Sequence, residues 1–209
     1  MTVSKNLSER AAAERGQRDQ RMVIADFDKS PFTIAWEVSR ACAYACVHCR
    51  ADAMHQRDPN ELSTEEAKSL IDDLKGFGSP ILIFTGGDPM MRPDLAELIS
   101  YAAKSGLRCS LTPTATALPT KKRLEEVRDA GIRRIALSLD APRADVHDDF
   151  RKVKGSWQRT MDILHRAQEI GISVQVNTTV AKHNIDILKE MVPFIEEVKA
   201  VQWSVFFLV

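Results

Sequence analysis

The sequence predicts a parallel α/β fold, and three observations predict it. Short β-rich runs alternate with amphipathic helical runs about six times from residue 32 onward. Several strand candidates are nearly continuous apolar stretches, as expected of strands covered on both faces. No Pro/Gly-rich or charged linker interrupts the alternation, and 209 residues suit a single domain with a sizeable core. Alternation by itself fits either an open sheet or a barrel.

The strand candidates are Phe32 to Val38, Ile81 to Thr85, Arg108 to Thr112, Arg134 to Leu139, Ser173 to Val180 and Val201 to Val209. Helical signals fill the gaps. Ser63 with Glu66 makes a capping-box pattern, followed by Ala67, Leu70, Ile71, Leu74 and Phe77 on one face. Pro93 and Asp94 open a helix over Leu95 to Ser105 that Gly106 closes. Thr120 opens one ending at Gly131, Ser156 one ending at Gly171, and Asn184 one running to about Lys199.

Charge excludes some function classes. Lysine plus arginine (29) equals aspartate plus glutamate (29), so no global field favours nucleic acid or an anionic membrane surface. No run approaches the roughly 20 apolar residues of a membrane span. Residues 1–22 are polar and carry both charge signs without a signal-peptide pattern, and we read 1–30 as a charged leader before a domain over 31–209. Three clustered cysteines and a distant one make a poor disulfide framework, so reduced thiols in the cytoplasm are expected.

The chemistry concentrates in Arg40-Ala41-Cys42-Ala43-Tyr44-Ala45-Cys46-Val47-His48-Cys49-Arg50, directly after the first strand candidate. Functional groups of parallel α/β folds sit at the carboxyl ends of strands. Three thiolates on one short loop suit three corners of a 4Fe-4S cluster, leaving one iron for a small molecule. Structural zinc is the rival, but it prefers four ligands in two separated pairs, and His48 lies inside the loop itself. Cys109, within the third strand candidate, reads as an inert core residue.

Cys42-x3-Cys46-x2-Cys49 at the end of a first strand resembles the signature of the radical S-adenosylmethionine (radical SAM) enzymes. Three further segments match that family's elements. Thr85-Gly86-Gly87-Asp88-Pro89 resembles the Gly-Gly-Glu element that receives the amino group of S-adenosylmethionine, with aspartate in place of the commoner glutamate. Ser138-Leu139-Asp140-Ala141 with His147-Asp148-Asp149-Phe150-Arg151 resembles the Ser-x-Asp-Gly…His-Asp-x-x-Arg stretch of peptide-modifying members, with Ala141 replacing glycine. There the serine contacts ribose or carboxylate, and arginine suits a carboxylate by a two-pronged hydrogen bond. Asn177-Thr178-Thr179 ends strand five, where members present a polar group to the nucleoside, and His48 takes the place of a side chain beside the adenine.

The resemblance implies a partial (β/α)6 TIM-like barrel of parallel strands, open on one side. It implies Cys42, Cys46 and Cys49 as cluster ligands, and His48, Gly86, Gly87, Asp88, Ser138, Asp140, Arg151 and Asn177 as S-adenosylmethionine contacts. It also implies a ferredoxin- or flavodoxin-type electron donor and a peptide, tetrapyrrole or other small-molecule substrate, with no nucleic acid or membrane partner. The motifs look like those of members with a C-terminal SPASM region, a group that includes peptide maturases and alternative haem synthesis enzymes. That region holds extra cysteine-bound clusters. No cysteine follows Cys109, so the chain reads as a core truncated after strand six, with a cluster-binding fragment lacking turnover as an alternative.

Overall fold

The computed structural model describes residues 26–208 except 45, 47 and 50. Most of the expected leader, residues 1–25, and Val209 at the end of the last strand candidate lie outside the described residues. Six strands follow one another: β1 (Thr33–Ser39), β2 (Ile81–Gly86), β3 (Arg108–Leu111), β4 (Arg134–Ser138), β5 (Ser173–Val180) and β6 (Gln202–Phe207). They form one sheet in sequential order, and every neighbouring pair is parallel. The sheet is not closed among the described residues, because β1 and β6 each pair on one side only. This is the open, partial (β/α)6 barrel.

Helices return the chain between strands: α1 (Thr64–Lys75), α2 (Leu95–Lys104), α3 (Lys121–Ala130), α4 (Ala144–Arg151), α5 (Ser156–Glu169) and α6 (Leu188–Glu197). One set of alternating strand residues, including Leu82, Phe84, Leu111, Ile135, Leu137, Val174 and Val176, is buried with Ile71, Leu98, Ile99, Leu124, Leu164 and Met191 of the helices. Each such side chain contributes about 1.5–3 kcal/mol by leaving water. The other set is markedly polar along β4–β6. Arg134 donates to Gln202 at 2.7 Å, and Gln175 donates to Asn177 at 2.8 Å and to Ser204 at 3.2 Å.

Several local expectations change. The capping box at Ser63 and Glu66 is complete, but α1 stops before Gly76 and leaves Phe77 53% exposed, off the buried face. Asp94 precedes α2 without capping it by its side chain. Its carboxylate instead takes a two-pronged bond from buried Arg92 (2.8 and 2.9 Å) and one from Thr64 at 2.8 Å, tying α1 to α2. Ser156 is the first residue of α5 rather than its cap, a position taken by Gly155. The chain after Asn184 begins with a 3-10 turn, Ile185–Ile187, before α6.

Candidate functional site

The cysteine loop is anchored at both ends by backbone. The register of β1 against β2 shifts between Glu37 and Ser39, just before the loop. Ala41 bridges Met54, Cys42 N–H donates to the Met54 carbonyl at 2.7 Å, and Met54 N–H donates to the Arg40 carbonyl at 2.9 Å. Glu61 braces the entry, accepting from the Ser39 hydroxyl at 2.7 Å and the Arg40 amide at 3.1 Å. Cys42 is buried, Cys46 half-buried and Cys49 exposed. All three line one cleft of about 220 Å³, open to solvent, at the carboxyl ends of the strands. They share the cleft without being a preassembled cage: among the described residues no group of three or more His, Cys, Asp or Glu stands close enough to hold a metal ion.

The Gly86–Gly87 turn forms the next wall, and the two glycines are explained first by the protein itself. A Cβ on Gly87 would lie 2.6 Å from the carbonyl oxygens of both Arg40 and Ala41, at the base of the cysteine loop. Gly86, at φ +141°, meets the Ser39 carbonyl in the same way. Only glycine permits this approach. Gly87 N–H donates to the Ser39 carbonyl at 2.9 Å and Asp88 N–H to that of Ala41 at 2.6 Å, so turn and loop are one hydrogen-bonded unit.

Asp88 lies behind the wall of the cleft. Its side chain is buried and does not line the cleft. The carboxylate accepts from Met90 N–H at 3.0 Å, from the Thr116 hydroxyl at 3.0 Å and from Thr114 N–H at 3.4 Å. The shorter aspartate reaches its own chain and the segment after β3, and burial pushes its carboxyl up from the ordinary range. Thr114, brought over the cleft by these bonds, donates its hydroxyl to the Gly87 carbonyl at 2.8 Å, and Cys42 Sγ lies 3.7 Å from the Thr114 hydroxyl oxygen.

Asp140 is likewise buried beneath the site rather than lining it. It accepts from Arg151 Nε at 2.6 Å and from Thr179 N–H at 2.9 Å, and so fixes the guanidinium. Asn184 ties the same corner together by donating to the carbonyls of Asp140 and Thr179, both at 2.8 Å. Arg151 lines the cleft, with Nη1 4.0 Å from Cys46 Sγ. Ser138 lines it as well. Asn177 does not: its Oδ1 accepts from Gln175 one step below, and the strand reaches the cleft only at Thr179, two residues on and on the same face.

His48 lies in the cleft wall with its ring stacked on Phe150, centroids 4.2 Å apart and planes 11° from parallel. Burial, and then the charge of Arg151, lower its pKa. Its Nδ1 is buried without a hydrogen-bond partner among the described residues. Burial raises the Cys42 thiol. It also raises that of Cys46, where the Arg151 guanidinium pulls the other way. A coordinating metal overrides such shifts by deprotonating the thiol outright.

Some site residues carry no local sequence signal. The Tyr44 hydroxyl donates to the Ala115 carbonyl, and Arg159 Nε reaches both Tyr44 (2.9 Å) and Ala115 (3.2 Å), clamping the cysteine loop to the segment after β3. Tyr44 and Arg159 are 115 residues apart. Ser156 and Thr160 of α5 also line the cleft. Thr112, Thr114 and Ala115 of the segment after β3 form a further part of its wall.

Comparison with known proteins fits this geometry. The model of the Radical SAM superfamily matches residues 36–195. An AdoMet-dependent heme synthase of Oleidesulfovibrio alaskensis is 43% identical over 197 residues, covering 94% of this chain and 50% of the relative. An Fe-coproporphyrin III synthase of Methanosarcina barkeri is 39% identical over 172 residues, covering 82% and 42%. The crystal structure of Streptococcus suis SuiB bound to S-adenosylmethionine superposes with a TM-score of 0.74 at 19% identity, over 87% of this chain and 41% of that one. The chain spans about half the length of the curated relatives it matches. It belongs to the radical SAM superfamily, a family of enzymes that use a 4Fe-4S cluster and S-adenosylmethionine.

Proposed function

We propose that this chain is the catalytic core of a radical SAM enzyme acting on a tetrapyrrole. Cys42, Cys46 and Cys49 would hold the cluster, leaving S-adenosylmethionine to be bound beside it. The Gly86–Gly87 turn would receive its ammonium, Arg151 and Ser138 its carboxylate, and His48 its adenine. Asp88, Asp140 and Asn177 support these groups from behind the cleft wall. The observation that carries the reading is that three thiols, a glycine turn and a carboxylate-anchored arginine all line one cleft.

These residues fit the cofactors. Three sulfurs leave a cubane one iron short of protein ligands. An arginine held by Asp140 offers its remaining N–H groups to a planar carboxylate. When bound, the cofactors supply the hard chemistry: reductive cleavage of the sulfonium to methionine and a 5′-deoxyadenosyl radical that removes hydrogen from substrate. The chain's residues bind, orient and exclude water. A tetrapyrrole is favoured over a peptide because relatives at 43% and 39% identity carry heme and coproporphyrin synthase names. A ferredoxin- or flavodoxin-type protein supplies the electron, and the reduced thiols suit the cytoplasm. No helix among the described residues is long and apolar enough to cross a membrane.

The test is anaerobic iron–sulfur reconstitution, then reduction in the presence of S-adenosylmethionine with quantitation of 5′-deoxyadenosine. A brown protein that forms it supports the reading, and hydrogen transfer from a labelled tetrapyrrole but not a peptide supports the substrate class. A colourless zinc protein would sink it. A brown protein without 5′-deoxyadenosine would leave cluster binding and remove turnover. Cys42→Ala is expected to abolish both.

A further inference from the structure

Resting on that reading, we propose that Thr114 couples occupancy of the Gly87 carbonyl to the electron affinity of the cluster, by sharing one hydroxyl proton between that carbonyl and the Cys42 sulfur. A threonine hydroxyl has a single proton to donate. Here it is given to Gly87 O at 2.8 Å, while Cys42 Sγ lies 3.7 Å from the Thr114 hydroxyl oxygen. Both acceptors are within reach of one rotamer, so the switch needs only rotation of the O–H bond. Cys42 has one standing donor already, the Tyr44 amide at 3.3 Å. The Thr114 hydroxyl is therefore a second, conditional donor.

The condition is set by the carbonyl. While Gly87 O has no other donor, it keeps the proton. That oxygen has two lone pairs, but a charged ammonium on one of them weakens it as an acceptor for the hydroxyl, which then turns toward the thiolate, a charged acceptor that binds a donor more strongly than a neutral one does. A hydrogen bond to a cluster sulfur withdraws charge and makes the cluster easier to reduce. Ligand arrival would thus ease electron entry, without movement of any heavy atom.

Asp88 gives the device its rigidity. Its carboxylate holds Thr114 N–H and the Thr116 hydroxyl, while its own amide donates to the Ala41 carbonyl beside Cys42. One buried aspartate thus fixes the threonine and the cysteine relative to each other. This explains why its side chain lies behind the cleft.

The experiment is a redox titration of the reconstituted protein, followed by electron paramagnetic resonance, with and without S-adenosylmethionine. Wild type, Thr114→Val and Thr114→Ser are compared. In wild type the ligand should raise the reduced-to-oxidised ratio at fixed potential by about tenfold, which is about 59 mV for one electron. Val should lose that increment and Ser should keep it. By linkage, wild type should bind S-adenosylmethionine about tenfold more tightly in the reduced state, and Val equally in both. A shift retained by Val, or lost equally by Ser, overturns the proposal alone. So does failure of Val and Thr114→Ala to take up a cluster while Ser succeeds, since that assigns Thr114 to loop folding. A wild-type protein that takes up no cluster, or whose signal ignores the ligand, overturns the parent reading and this one with it.

Discussion

Protonation of His147 should unlatch the corner that holds Arg151. The imidazole is 1% exposed, and its Nδ1 accepts from the Asp140 amide at 3.1 Å, a bond a protonated ring would lose. Its pKa is lowered to about 4. Burial is the main cause; the Asp140 carboxylate 3.9 Å away opposes it, and the Arg151 guanidinium adds to it. An unfolded chain titrates histidine near 6.5, so between those two values the unfolded state binds the extra proton. Stability from this group is therefore full above about pH 6.5, falls as pH drops, and levels off below about pH 4. At about 1.36 kcal/mol per unit the whole interval is worth about 3 kcal/mol, of which about 2 kcal/mol develops between about pH 7.5 and about pH 5. Urea unfolding followed by circular dichroism at those two pH values, for wild type and His147→Gln, isolates it. Wild type should lose about 2 kcal/mol more than the variant over that interval. Parallel pH dependences in the two proteins would refute the reasoning.

Three more outcomes are expected. Gly87→Ala places a methyl 2.6 Å from two loop carbonyls and should displace the cysteines, so iron bound per chain after reconstitution should fall sharply; wild-type loading would contradict the packing argument. Asp140→Asn leaves Arg151 without its carboxylate and should cost about 3–5 kcal/mol in chemical unfolding, as for other broken buried pairs; a cost under about 1 kcal/mol would mean the pair is dispensable. Ser63→Ala removes one half of a complete capping box and should cost about 1 kcal/mol, with α1 melting first in hydrogen exchange; unchanged protection there would count against the cap.

The strands were legible because their buried face repeats an apolar residue at every second position, and β5 agrees to the residue at both ends. The cysteine spacing and the glycine pair were legible because both are local. Acidic residues after strand ends were not. Asp88 and Asp140 carry formal charge beside a polar cleft, and sequence reasoning aims such charges at a ligand. Backbone N–H groups at Met90, Thr114 and Thr179 claim them first. Helix α4 was hidden because only His147 and Phe150 of its eight residues are buried, too few to write a helical period. The Arg159–Tyr44 clamp joins residues whose proximity only the assembled sheet creates.

The sequential strand order has a consequence for synthesis. A ribosome releases β1 and its cysteines first, and each later strand docks only on the one before it. Arg151, which stands against Cys46, follows it by 105 residues. At about 5–20 residues per second that is a delay of about 5–20 s. During that interval the thiols have neither their guanidinium neighbour nor the Phe150 ring that covers His48. Metal delivery timed before α4 would meet an unwalled loop, whereas delivery after it meets a cleft. The chain's own order of emergence thus separates the cysteine loop in time from the side chains that wall it.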